Sequence, residues 1–232
     1  MVPLQFKRVV HHICGIQSYF VATALYRVAR GCERTYEEFL LGLPESGLLL
    51  DIGANLGVTV AFARRKRPDL RVVAFEPIPL NVATARRLWR VLRIDGVEFN
   101  AIALGDSPGM VEMVMPILRG LPAPGQTYVK NDECDYSSVL GDEGFQFTAS
   151  VATLDSLQLP RVHGIKLDVE NFEWHVLRGA GKLIERDHPE IYCELWDTPN
   201  RSKVMELLRE YGYKCEKLDT KEDFLFQWSG HG

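Results

Sequence analysis

From residue 47 onward, short apolar runs alternate with stretches whose apolar residues recur every three to four positions. Leu48-Leu49-Leu50 predicts a buried strand, a Gly-rich turn follows, and Gly57–Arg67 then has a helical pattern. Arg71–Phe75 predicts a second strand, Asn81–Leu92 a helix, and Val97–Ile102 a third strand. Ile165–Val169 is a further apolar strand leading into a helix to about Glu185. Ile191–Leu195 and a helix over Arg201–Glu210 repeat the unit once more. Apolar strands alternating with amphipathic helices predict a parallel sheet covered on both faces. Tyr213–Leu218 and Asp223–Trp228 read as two antiparallel strands closing the sheet.

Two regions break this rhythm. Before Gly47 the pattern is helical: an amphipathic helix near residues 16–30, then Tyr36, Phe39, Leu40 and Leu43 at helical spacing. Pro44-Glu45-Ser46-Gly47 breaks the second helix. The expected organisation is therefore an N-terminal helical appendage over residues 1–45 and a main domain over 46–232. The second irregular region, about residues 105–157, carries Pro108, Pro116, Pro122 and Pro124 among several glycines and short alternating runs. It reads as a β-rich insertion over one end of the sheet, a usual place for a lid or substrate loop.

Composition narrows the class. The chain has 232 residues, 46% apolar and 25% charged, which excludes global disorder. A net charge of −4 gives no electrostatic case for a nucleic-acid partner. Five cysteines (14, 32, 134, 193 and 215) form no CxxC pair. That argues against a disulfide framework and a zinc site, and sets the expectation of reduced thiols in a cytoplasmic protein. His11-His12 lacks neighbouring Cys or carboxylate, so no metal is expected. Val9–Tyr26 carries no Lys, Arg, Asp or Glu, but its scattered polar residues fit neither a signal peptide nor a spanning helix. Peripheral membrane contact by residues 9–26 is the alternative to a plain amphipathic helix.

The candidate chemistry lies at the strand ends. Leu50-Asp51-Ile52-Gly53-Ala54-Asn55-Leu56-Gly57 runs from a strand through two glycines, four apart, into a helix. Glycines let the chain turn sharply and bring backbone N–H groups near a ligand. The run is neither GxGxxG nor a P-loop, so a pyrophosphate is not its natural guest. Asp51 would repel phosphate and accept a hydrogen bond from an ammonium group. Glu76 ends the second strand, 25 residues after Asp51, where open parallel sheets bind ligands and a carboxylate takes both ribose hydroxyls. Pro77 and Pro79 stiffen the turn after it. Together these describe a pocket for an adenosine with an ammonium and no phosphate: S-adenosyl-L-methionine (SAM).

With those residues the sequence resembles the FkbM family of SAM-dependent methyltransferases over about residues 48–196. The matching stretches are Asp51–Gly57, Phe75-Glu76-Pro77-Ile78-Pro79-Leu80-Asn81, Asn100–Asp106, Thr153–Leu157, Ile165-Lys166-Leu167-Asp168-Val169-Glu170 and Val176–Ala180. One departure is Asn171, where the family usually has Gly; Asn tolerates a left-handed backbone better than most residues. The resemblance implies an α/β, class I SAM-methyltransferase (Rossmann-like) doubly wound sheet ending in an antiparallel hairpin. It also implies Asp51, Gly53, Ala54, Asn55 and Gly57 around the methionine moiety. Glu76, with Pro77, would hold the ribose, and Asn100 and Ala101 would flank the adenine.

Lys166, Asp168 and Glu170 alternate with apolar residues, which predicts three polar side chains on one side of the strand's end. Such groups are costly to bury unless paired or functional. The bland reading is an ion pair anchoring the strand. The functional reading is a catalytic edge facing the sulfonium, with Glu194 at the next strand end as a further carboxylate that deprotonates or orients a substrate hydroxyl. His163 and His175 are weaker candidates for a base, Trp174 and Trp196 for a substrate wall, and Ser137-Ser138 for substrate contact. The expected function is methyl transfer from SAM to a hydroxyl on a small polar metabolite or sugar, the hydroxyl preference coming from the resemblance. Two rivals stand beside it: an NAD-dependent oxidoreductase, disfavoured by the missing third glycine and by Asp51, and a non-catalytic SAM-fold binding module.

Overall fold

A computed structural model describes residues 4–118, 120–130, 144–220 and 222–230, with side chains from residue 15 onward. Its centre is a seven-stranded sheet. The strands are β1 (Leu48–Ile52), β2 (Arg71–Phe75), β3 (Val97–Asn100), β9 (Gly164–Leu167), β10 (Glu190–Glu194), β11 (Tyr213–Lys217) and β12 (Asp223–Trp228). Their spatial order is β11-β12-β10-β9-β1-β2-β3. The five from β3 to β10 are parallel, and β12 runs antiparallel between β10 and β11. The order reverses between β1 and β9, the position where open α/β sheets form a crevice at their carboxyl ends.

Strand alternation divides the core in two. Leu48, Leu50, Ile52, Val73 and Phe75 face one layer, while Leu49, Val72 and Ala74 face the other. The second layer is built by α3 (Val58–Lys66), α4 (Pro79–Leu92) and the N-terminal helices α1 (Leu4–Arg30) and α2 (Arg34–Gly42). Tyr19, Phe20, Ala24, Phe39 and Leu40 share one core with Leu49, Val60 and Leu88, so the N-terminal helices continue the helical layer. Helix α1 starts well before the predicted residue 16 and is interrupted at Gly15 (φ 76°, ψ 161°). The opposite layer holds α5 (Glu173–Arg178), α6 (Gly181–Asp187) and α7 (Pro199–Glu210). The single helix expected up to Glu185 is thus two short ones. The backbone of Gly179 lies against that of Gly105, where an added Cβ would meet the Gly105 oxygen at 2.0 Å.

Between β3 and β9 the chain forms the expected β-rich insertion. Strands β5 (Gly109–Leu118) and β8 (Gly144–Ala152) pair antiparallel, β4 (Ala103–Leu104) joins β8, and β6 (Leu121–Pro122) and β7 (Tyr128–Val129) join β5. The expected third strand over Val97–Ile102 therefore ends at Asn100, because the chain leaves the main sheet there for the insertion. Among the described residues no helix is long and apolar enough to cross a membrane.

Candidate active site

The turn after β1 is set by its contacts with two neighbouring strands. Gly53 N and Ala54 N both donate to Phe75 O at 3.0 Å. Gly53 has φ +81°, and a Cβ there would lie 1.8 Å from Asp168 O, so both the turn and the close approach of β9 require glycine. Asn55 also takes a positive φ of 51°. Its N–H donates to Glu76 Oε2 at 2.8 Å, and Ile78 N donates to Glu76 Oε1 at 2.8 Å. The Glu76 side chain is thereby fixed at the end of β2, only 3% exposed. Burial pushes its pKa up to about 7, against the pull of those two N–H groups and of Asn81.

Asp51 and Lys166 are register partners on β1 and β9, and the pleat turns both toward the α3 side. Asp51 is fully buried; Thr59 Oγ1 donates to its Oδ2 at 2.6 Å, and Lys166 Nζ lies 3.7 Å from Oδ1. Burial raises the Asp51 pKa, with Lys166 opposing. Lys166 Nζ also donates to Gly53 O at 3.1 Å and to Asp168 Oδ2 at 3.2 Å. Burial disfavours its charge, but Asp168 and Asp51 more than offset this and its pKa is raised. Lys166 therefore ties the first turn to the end of β9.

The predicted alternation of Lys166, Asp168 and Glu170 holds only in part. Strand β9 ends at Leu167, two residues short of the predicted end, and Glu170 and Asn171 both have positive φ (55° and 69°). The turn is held by a residue that sequence reasoning missed. Buried Glu173 accepts from Val169 N and Asn171 N at 3.1 Å through Oε1, and from Asn200 Nδ2 at 2.6 Å through Oε2. A glutamate in the first turn of a helix, three residues after another glutamate, was the available signal.

These elements enclose a cavity of about 600 Å³, mouth included. Gly53, Asn55, Glu76, Pro77, Asp168 and Glu170 line it. Lys166, Asp51, Ala54, Gly57 and Glu194 do not belong to that lining. Gly57 instead caps α3, its carbonyl accepting from Trp89 Nε1 at 2.8 Å. Asn100 and Ala101 are outside it too; the wall there is Ile102, Ala103 and Leu104. Three lining residues carry buried polar atoms with no hydrogen-bond partner among the described residues: Asn55 Oδ1, Thr127 Oγ1 and Glu170 Oε2. Buried polar groups are normally bonded, so this concentration suits a polar guest.

The carboxylates of the edge differ in environment. Burial, then Asp168, Glu194 and Glu173, push Glu170 up to about 9. Burial followed by Asp168 pushes Glu194 up to about 7, while Trp196 Nε1 donates to its Oε1 at 2.9 Å. His163 is not at this edge: its Nδ1 accepts from Leu48 N, at the opposite end of the strands. His175 stacks on Phe172, a lining residue, and its Nδ1 lies 3.2 Å from Asp106 Oδ2. Trp174 packs under Arg178 and Lys203 rather than in the cavity lining. Ser137, Ser138 and the His11 and His12 side chains lie outside the described residues. Among the described residues no group of three His, Cys, Asp or Glu is arranged to hold a metal ion.

A doubly wound sheet with an inserted antiparallel strand, a glycine turn after β1 and a buried glutamate at the end of β2 defines a Rossmann-like nucleoside-binding protein of the class I methyltransferase fold. The chain belongs to the methyltransferase FkbM domain family, whose model matches residues 51–215. It is 27% identical to 31-O-demethyl-FK506 methyltransferase FkbM of Streptomyces tacrolimicus over 78% of each chain. It is 26% identical to methyltransferase 1 of Beauveria bassiana over 59% of each chain. The crystal structure of methyltransferase FkbM from Methylobacillus flagellatus KT superposes with a TM-score of 0.57 at 16% identity, covering 96% of this chain and 53% of that one. This chain thus spans little more than half the length of two of these relatives. The family's cofactor is SAM, and the cavity fits it: glycine backbone for close approach, a buried carboxylate for a diol, and unbonded amide and hydroxyl groups.

Proposed function

We propose that this protein transfers a methyl group from SAM to a hydroxyl on a small polar metabolite or sugar. The observation that carries this reading is Glu76, buried and fixed at the end of β2 on the wall of the cavity. Each of its oxygens accepts one backbone N–H and keeps a lone pair for a ribose hydroxyl. Gly53, Asn55 and Pro77 complete the binding surface on this reading, with Ala54, Gly57, Asn100 and Ala101 supporting it from behind. The Streptomyces relative's name describes an O-methylation, which supports a hydroxyl acceptor.

When bound, the cofactor supplies an electrophilic methyl group on a sulfonium. The chain's own residues align the acceptor and handle its proton. Asp168, oriented by Lys166, faces the cavity and receives the acceptor hydroxyl. Glu194, with a pKa of about 7, is poised near neutral pH to take up the proton. Glu170, up to about 9, is neutral there and offers a donor. Alignment within a closed site supplies most of the acceleration. In this scheme residues 46–232 are the catalytic unit, and 1–45 an appendage.

The test is calorimetry with S-adenosylhomocysteine and with NAD, followed by an acceptor screen using SAM labelled in its methyl group. Heat for S-adenosylhomocysteine and label incorporated into a hydroxyl compound are the expected results. Heat for NAD alone would reject the reading.

A further inference from the structure

The insertion reaches the cofactor cavity at one short segment. A 3-10 turn at Pro124–Gln126 leads into β7, which pairs with β5 through Val114↔Tyr128 and Met113↔Val129. Pro124, Gly125, Thr127 and Val129 line the same cavity as Gly53, Asn55 and Glu76. Contact with the first turn is close: a Cβ on Gly125 would lie 3.1 Å from Asn55 Nδ2.

Thr127 is the unusual member of this segment. It is 4% exposed, and its Oγ1 has no hydrogen-bond partner among the described residues. A hydroxyl buried without a bond lowers stability, and valine would fill the same space without that cost. On the same cavity wall, Asn55 Oδ1 is also without a partner among the described residues. Two orphaned groups, one from the first turn and one from the insertion, line a single cavity. That pattern fits groups waiting for one polar ligand.

We propose that the insertion completes the cofactor site, with the Thr127 hydroxyl hydrogen-bonding to bound SAM. The inference rests on SAM being the cofactor. Segment 124–129 then forms the cavity wall next to the first turn, with Gly125 seated against Asn55.

The test compares the full-length protein with Thr127→Val and Thr127→Ser, using calorimetry with S-adenosylhomocysteine and thermal unfolding without ligand. Thr127→Val should bind S-adenosylhomocysteine about three- to tenfold more weakly, the range for one lost neutral hydrogen bond. Its ligand-free unfolding temperature should be unchanged or higher. Thr127→Ser should recover most of the affinity. Wild-type affinity in Thr127→Val would overturn the proposal. So would a loss of affinity accompanied by lower ligand-free stability, since that would give the hydroxyl a structural role. A wild-type protein that bound no S-adenosylhomocysteine would overturn the cofactor reading itself, a different result from tight binding indifferent to Thr127.

Discussion

Thr198 Oγ1 donates to Asn171 Oδ1 at 2.5 Å, joining the turn after β9 to the residue that precedes α7. Asn171 has φ +69°, and on the family resemblance read from the sequence it departs from a glycine. The departure is accommodated twice. Asparagine tolerates the left-handed backbone, and its amide gains a bond that glycine lacks. Asn171→Gly should therefore cost only about 0.5–1.5 kcal/mol, the value of one hydrogen bond. Asn171→Ala should cost more, because left-handed strain of about 1–2 kcal/mol is added. Urea unfolding measures both, and an alanine variant as stable as the glycine one would reject this account.

Lys166 is the cation facing buried Asp51, so its removal should be felt in the fold before catalysis. Lys166→Met should destabilise the protein by roughly 3–5 kcal/mol, the usual result of leaving one buried charge unpaired. Asp51→Asn in the same background should restore part of that loss. Additive losses in the double-mutant cycle would mean that the two groups are not coupled.

Gly53 combines φ +81° with the carbonyl of Asp168 where its Cβ would stand. Gly53→Ala should cost roughly 3 kcal/mol or more, since left-handed strain of about 1–3 kcal/mol adds to the clash. S-Adenosylhomocysteine binding should fall with it. Near-wild-type stability by denaturant titration would show that β9 has room to withdraw.

Burial raises the pKa of several carboxyls, Asp51 and Glu33 among them, and most strongly Glu76, Glu173 and Glu194, to about 7, and Glu170, to about 9. A raised acid binds its proton more tightly when folded than when unfolded. Its contribution is full below the unfolded value near 4.5 and is lost as pH rises through the folded value. Ligand-free stability should thus fall from about pH 5 to pH 7 and continue falling toward pH 9 through Glu170. Thermal unfolding of Glu170→Gln should lessen that slope over the whole range and abolish it above about pH 7, where Glu170 alone sustains it. A wild-type curve that rises over this range would exclude the assignment.

With an acceptor in hand, Asp168→Asn should lower turnover about 100-fold or more with little change in cofactor affinity, if Asp168 orients the hydroxyl. Wild-type turnover should rise with pH through about 7 as Glu194 ionises, and Glu194→Gln should remove that rise. Full activity in a well-folded Asp168→Asn protein would move the orienting role to another residue.

The sequence by itself determined the layered sheet and its first turn, because each rests on local or periodic features. Apolar runs of strand length read directly as buried strands, and Asp51–Gly57 and Glu76 stand out because such residues are rare at buried strand ends. Tertiary structure decided what those residues touch. Alternation placed Lys166, Asp168 and Glu170 on one side, but the strand stops at Leu167 and the next residues turn left-handed under Glu173, a change no two-residue period records. The partnership of Asp51 with Lys166 depends on the register between β1 and β9, segments 115 residues apart. His163 is close to the site residues in the chain, yet a strand's two ends are on opposite edges of the sheet, and it bonds to the start of β1. Thr127 carried no local signal. A lone threonine in an irregular segment becomes a cavity residue only when the insertion folds back over the first turn, and long-range packing alone sets that closure.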